Sequence, residues 1–269
     1  MPEGPEIFLA ARAVHAAVAR QPSTLVLRHP ALAPKARSLR GVQIARVYAR
    51  SKAMLTEFAN GTVLYSHNQL YGEWVLHKLG EPLLARQVRL IISTASHQAV
   101  LYSATDFAWL KLGAENRHPY IAKLGPEVLD DAVTTREIAA RLAQFPRRVV
   151  ADALLDQHVI AGLGNYLRAE ILFVARVNPM RRIADLSAAE LLRIANACKT
   201  LTRRSVQRGG VLQSWVGYQA ARKAGATFEA ARFHAFDREG APCRHCAAPI
   251  VRITRGGRGL FYCARCQSA

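Results

Sequence analysis

Apolar positions follow two rhythms along the chain, and the change between them divides it. From Glu3 to Ala19 they recur at Ile7, Ala10, Ala11, Val14, Ala17 and Val18, the spacing that gives a helix one buried face. The stretches TLVLRHP, VQIARVYAR, AMLTEFAN, TVLYSHNQ, EWVLHKL, VRLIIST and AVLYSA then alternate or carry β-branched residues, as strands do. Asn60-Gly61 separates two of them and predicts a hairpin, because both residues tolerate the positive φ of a two-residue turn. Six to eight short strands behind one helix predict a β-sandwich or barrel at the start of the chain.

The helical rhythm returns after His118-Pro119. Thr134-x-x-Glu137 and Ser187-x-x-Glu190 have the capping-box pattern, in which each residue's side chain satisfies the other's backbone N–H. RRVVADALLDQ reads as a helix, GLG as a break, and NYLRAEILFVAR as a second helix with Asn165 at its N-cap, ending before Asn178-Pro179. Gln207 to Thr227 holds Gly209-Gly210, Trp215, Gly217 and Gly225 without clear periodicity and reads as a long loop. The expected organisation is multidomain α+β: residues 1–116 a β-sandwich or barrel with its N-terminal helix, 117–227 a helical domain, and 228–269 a zinc finger.

Charge narrows the choice of partner. Thirty-seven Lys and Arg stand against nineteen Asp and Glu, a net +18. A folded chain this basic favours a polyanion, most simply nucleic acid. No run of 18 apolar residues, signal peptide or transit sequence is present, so no membrane partner is expected, and the expected compartment is the cytoplasm.

Four of the five cysteines form Cys243-x2-Cys246-x16-Cys263-x2-Cys266. Each pair puts two thiolates on one edge of a tetrahedron, and two pairs close it around one Zn2+. Four thiolates leave no position open for water, so the expected zinc is structural. Between the pairs VRITRGGRGLFY reads as a hairpin with Gly256-Gly257 at its tip and Arg255 and Arg258 as a cationic end. Cys198, alone in an apolar helical run, reads as a small buried hydrophobe.

MPEGPE at the start, RSKAML around Lys52, YSHNQLYGEW, LGPEVLD, AGLGNYLRAEIL and the closing cysteine quartet together resemble the formamidopyrimidine-DNA glycosylase/endonuclease VIII family. The resemblance runs in family order from residue 1 to about 266, and EGPE and SHNQLYG are more similar to the endonuclease VIII branch. It implies an N-terminal β-sandwich capped by the first helix, a helix–two-turn–helix domain and a zinc ribbon. It also implies a base-excision enzyme that acts as a monomer on damaged double-stranded DNA, in a bacterial cytoplasm at the nucleoid.

The resemblance implies roles for individual residues. Pro2, exposed by removal of Met1, is the nucleophile, and Glu3 the general acid or base beside it. Lys52 is a phosphate contact and proton donor in β-elimination, and Arg258 acts in δ-elimination or clamps flanking phosphates. Gln69, Leu70 and Tyr71 match the trio inserted into the duplex, and Asn165 a phosphate contact. Lys123 stands where the endonuclease VIII pattern has Arg, keeping the charge without the bidentate fork. The expected substrate is an oxidised pyrimidine. The alternatives are an oxidised-purine enzyme of the same family and a zinc-ribbon DNA-binding protein without activity, the latter leaving Pro2-Glu3 unexplained.

Overall fold

Helix α1 (Gly4–Val18) opens the structure, a computed structural model that describes residues 2–268. Glu3 is its N-cap, and the Glu6 carboxylate accepts the Glu3 N–H at 2.9 Å, so the first turn closes on its own acids. The expected stripe of Ile7, Ala11, Val14, Ala17 and Val18 is buried. Strand β1 (Thr24–Leu27) and the short helix α2 (Ala33–Ser38) follow. The strands β2 (Ile44–Arg50), β3 (Ala53–Phe58), β4 (Thr62–His67), β5 (Glu73–Lys78), β6 (Val88–Ser93), β7 (His97–Tyr102) and β8 (Asp106–Lys111) complete this part.

The strands make two antiparallel four-stranded sheets, ordered β2-β3-β4-β8 and β1-β6-β7-β5. Alternation along β3 shows how they are covered. Met54 and Phe58 enter a core shared by α1 and both sheets, while Ala53 and Leu55 pack with Tyr65 and Ile121 on the other side. The expected sandwich with a capping helix is therefore what forms. The Asn60-Gly61 turn joins β3 to β4 as expected, with Gly61 at φ 76°. His15 of α1 accepts the Val47 N–H at 3.1 Å, which fixes the helix on β2.

The contacts divide the chain between Lys123 and Leu124. The second unit contains α3 (Thr135–Ala143), α4 (Val150–Ala153), α5 (Asn165–Ala175), α6 (Ala188–Gln207), α7 (Trp215–Lys223) and α8 (Phe228–Arg232), then the hairpin strands β9 (Val251–Arg255) and β10 (Arg258–Tyr262). Both capping boxes form, at Thr134 with Glu137 and at Ser187 with Glu190. The apolar faces of α3, α5 and α6 share one core, which Ile253 and Leu260 of the hairpin join. Cys198 is wholly buried in α6, where burial pushes its thiol pKa up, as a buried hydrophobe requires.

Three local expectations need correction. RRVVADALLDQ yields only the single turn of α4, because Gln157 folds the residues around it into turns. Its amide donates to Leu155 O and Leu163 O at 3.0 and 2.8 Å and accepts the Gly162 N–H at 3.0 Å. The N-cap of α5 is Gly164, and Asn165 is the first helical residue. The segment 207–227 is no long loop. Ser214 caps α7 by accepting the Gly217 N–H, and Thr227 caps α8 by accepting that of Ala230.

Candidate functional site

Pro2 is half-buried and leads directly into Glu3, which is only 2% exposed at the positive end of α1. Met1 lies outside the described residues. Lys52 belongs to the two-residue turn that joins β2 to β3, where Ser51 takes φ 56°. The turn is held from outside: the Lys52 N–H donates to the Tyr120 hydroxyl at 3.3 Å, and that hydroxyl donates to Ser51 Oγ at 3.2 Å. Lys52 itself is 8% exposed, an unusual depth for a lysine and unlike a solvated surface charge.

Strand register puts Lys52 at the base of the Gln69-Leu70-Tyr71 stretch. Ala53 lies opposite His67, and His67 opposite Asp106, in one row across β3, β4 and β8. Burial pushes the His67 imidazole below the usual histidine range; Asp106 opposes that shift and the positive charge of Lys52 adds to it. A neutral His67 suits its contact, since its Nδ1 accepts the Gln69 N–H at 2.9 Å. His67 was not legible from the sequence, because its partners come from the following loop and two other strands.

Residues 68–72 carry the chain from one sheet to the other. The Gly72 N–H donates to Asn68 O at 2.8 Å, and Asn68 Nδ2 donates to Gly72 O at 3.1 Å. A Cβ on Gly72 would sit 2.3 Å from Asn68 O, so only glycine permits this clamp. Gln69 takes φ 54°, and its side chain accepts from Thr105 Oγ1 at 2.6 Å, in the β7–β8 crossover. Leu70 and Tyr71 are left 49% and 73% exposed. Two large apolar side chains held outward on a pinned loop have no packing role in this unit.

In the second unit the four cysteine sulfurs lie within 4.8 Å of one another. Cys243 and Cys266 are 3.9 Å apart and Cys246 and Cys263 3.5 Å, against a tetrahedral Zn–S edge of about 3.8 Å. The N–H groups of His245 and Cys266 donate to Cys243 Sγ and Cys263 Sγ, both at 3.4 Å, as suits thiolates. Cys243, Cys246, Cys263 and Cys266 thus fit one structural zinc ion and offer it a full set of ligands.

The hairpin forms as expected around Gly256 and Gly257, but its two arginines differ. Arg255 is no free tip cation: its Nε and Nη2 meet Asp152 Oδ1 and Oδ2 of α4 at 2.7 and 2.5 Å. Arg258 is exposed. Asn165 also serves the hairpin, donating from Nδ2 to Gly259 O at 3.0 Å while its Oδ1 accepts from Arg168 at 2.5 Å. A second anchor comes from Glu170, fully buried in α5. It accepts the N–H groups of His234, Ala235 and Phe236 and the His234 Nδ1 at 2.7–2.9 Å. Burial would raise its carboxyl, but His234 and these N–H groups hold it below the usual range. Lys123, the last residue of the first unit, is exposed.

Three family models match the chain: the formamidopyrimidine-DNA glycosylase N-terminal domain over residues 1–106, the H2TH domain of that glycosylase over 124–215, and the zinc finger found in FPG and IleRS over 240–269. Endonuclease 8 of Klebsiella pneumoniae is 39% identical over 99% of this chain and 100% of its own length, and that of Pectobacterium atrosepticum 38% identical over 100% of both. The Lactococcus lactis formamidopyrimidine-DNA glycosylase, solved with an abasic-site DNA, shares the fold with a TM-score of 0.82 and 20% identity, over 99% of this chain and 100% of that one.

Sandwich, helix–two-turn–helix and four-cysteine ribbon together define a bifunctional DNA glycosylase/AP lyase of base-excision repair, an enzyme class that acts on damaged DNA. The chain belongs to the formamidopyrimidine-DNA glycosylase/endonuclease VIII family. No helix among the described residues is long and apolar enough to cross a membrane.

Proposed function

We propose that the protein removes oxidised pyrimidines from double-stranded DNA and cuts the strand by β,δ-elimination, with Pro2 as nucleophile. The observation that carries this reading is the pairing of Pro2 with a buried carboxyl at the start of α1. Removal of Met1 exposes a secondary amine. An α-amino group titrates at about 7.7–8.0 and a lysine at about 10.4, so a useful fraction of the amine is neutral at pH 7–8, where a lysine is almost wholly protonated. Its lone pair attacks C1′ of the damaged nucleotide while the C1′–N bond breaks and the base departs with a proton, Glu3 serving as acid and base. The amine then loses its N–H proton and the C1′–O4′ bond breaks as O4′ takes a proton from Glu3, which opens the sugar ring to an iminium; this acidifies the C2′ hydrogen, and loss of that proton expels the 3′ phosphate. Lys52 donates or relays the proton, and Arg258 holds the phosphates and assists the second elimination.

Support for the DNA side comes from charge and shape. Leu70 and Tyr71 are the inserting pair, Gln69 contacts the orphaned base, and Lys123 and Asn165 each serve as a phosphate contact. Extrusion of the base from the stack brings C1′ to the amine. The enzyme acts as a monomer, in the cytoplasm at the nucleoid. The pyrimidine preference rests on the likeness to proteins named Endonuclease 8. Nicking of defined duplexes that carry thymine glycol, dihydrouracil or 8-oxoguanine tests it: faster cleavage at the two pyrimidines is expected, and faster cleavage at 8-oxoguanine would assign the purine branch.

A further inference from the structure

Arg86 lies in the β5–β6 connection, outside the sequence motifs that carry the family resemblance, yet its guanidinium reaches the loop that carries Leu70 and Tyr71. Nη2 donates to the Tyr71 carbonyl at 2.9 Å, Nη1 pairs with the Glu73 carboxylate, and Cζ lies 5.6 Å from the centroid of the Tyr102 ring. Tyr102 is a rigid base for the stack. It is fully buried, its hydroxyl pairs with His77 at 3.1 Å and accepts the Leu84 N–H at 3.1 Å, and it lies opposite Glu73 in the sheet. The leg of the loop on the Tyr71 side is therefore held by a planar fork. The other leg is held by His67 and Thr105 through Gln69.

A gain in fold stability does not account for this arrangement, because the Arg86 and Glu73 side chains are 34% and 58% exposed and exposed ion pairs contribute little. Taking Leu70 and Tyr71 as the inserting pair, we propose that Arg86 is a positioning residue of the reaction. It fixes the Tyr71 end of the loop before DNA arrives, so that the duplex meets a wedge already ordered. Ordering a loose loop at the moment of insertion would slow that step. Lysine cannot replace it, since a point charge reaches the carbonyl or the carboxylate but does not span both from a stacked position.

The test uses the full-length protein with Arg86→Ala, Arg86→Lys, Leu70→Ala and Tyr71→Ala. Single-turnover cleavage is measured on an abasic-site duplex and on the same abasic strand alone, with 2-aminopurine opposite the site to follow insertion. Both Arg86 variants should slow duplex cleavage and the fluorescence change about five- to tenfold, and single-strand cleavage less than about twofold. The salt dependence of binding and the melting temperature should stay as in the parent. Equal losses on both substrates, full rescue by Lys, or a shallower salt slope (a phosphate contact) would each overturn the assignment. If Leu70→Ala and Tyr71→Ala lose duplex activity selectively and Arg86→Ala does not, the Arg86 assignment alone fails. If the Leu70 and Tyr71 variants show no selectivity, the wedge reading fails and the assignment goes with it.

Discussion

Arg255 and Asp152 meet through two N–H···O contacts of 2.7 and 2.5 Å, tying the tip of the zinc-ribbon hairpin to the single turn of α4. The pair is 103 residues apart in sequence and spends one of the two expected tip cations on a protein carboxylate. It leaves Arg258, three residues on, as the exposed one. Asp152→Asn should free Arg255 and loosen the hairpin without loss of zinc. Stability should fall by less than about 1 kcal/mol, because the pair is partly exposed. DNA affinity and the second elimination step should fall several-fold, read by binding titration and by the ratio of β to δ products. A variant with unchanged product ratio would remove the hairpin's orientation from the mechanism.

Zinc should matter for binding and shape, not for bond making. Cys243→Ser should lower the zinc content from one ion per chain, disorder the ribbon and weaken DNA binding. Full activity in a sample shown by elemental analysis to lack zinc would contradict the role given to the ribbon.

Binding should be strongly dependent on salt. With six to ten phosphates neutralised, affinity falls by ~10³–10⁵ between 50 and 200 mM salt. Lys123→Ala should weaken binding to damaged and undamaged duplexes alike and reduce the slope of log affinity against log salt by about one. A flat response to salt would remove the electrostatic reading of the +18 charge.

The α6 cap gives a pH signature. The Ser187 N–H, then Arg181 and the Ser187 hydroxyl, hold Glu190 down at about 2 in the folded state. A carboxyl lowered on folding contributes stability above its unfolded pKa and loses it as pH falls through the folded value. Glu190→Gln should therefore melt lower than the parent at pH 6–7, by about 1–2 kcal/mol, with the gap closing towards pH 2. A gap that is constant from pH 7 to pH 2 would assign the effect to packing.

What could be read in the sequence was what local chemistry encodes. The stripe from Ile7 to Val18, the Asn60-Gly61 turn and both capping boxes each depend on neighbours a few residues away, and the cysteine quartet repeats one local C-x-x-C spacing. Strand β8 escaped because Phe107, Ala108, Trp109 and Leu110 run together without alternation. Helix α7 escaped because none of its residues is buried, so no apolar period marks it; only the caps at Ser214 and Thr227 signalled α7 and α8. In the candidate site Lys52 and the Gln69-Leu70-Tyr71 stretch are legible only through the family resemblance. The groups that hold them from elsewhere in the chain, Tyr120, Thr105 and Arg86, are visible only through long-range pairing.

In the proposed mechanism the amine of Pro2 forms the covalent bond to the sugar, and every later step depends on it. Borohydride added during turnover on abasic DNA should reduce the iminium and trap the protein, and mass spectrometry should place the adduct on Pro2. The stricter measurement uses protein with residues retained ahead of Pro2, in which the nitrogen is an amide and no longer a nucleophile. That protein should bind DNA as the parent does, give no trapped complex, and lose both base removal and strand cleavage. Normal excision by the blocked protein would contradict the mechanism and leave Pro2 and Glu3 as no more than the start of a helix.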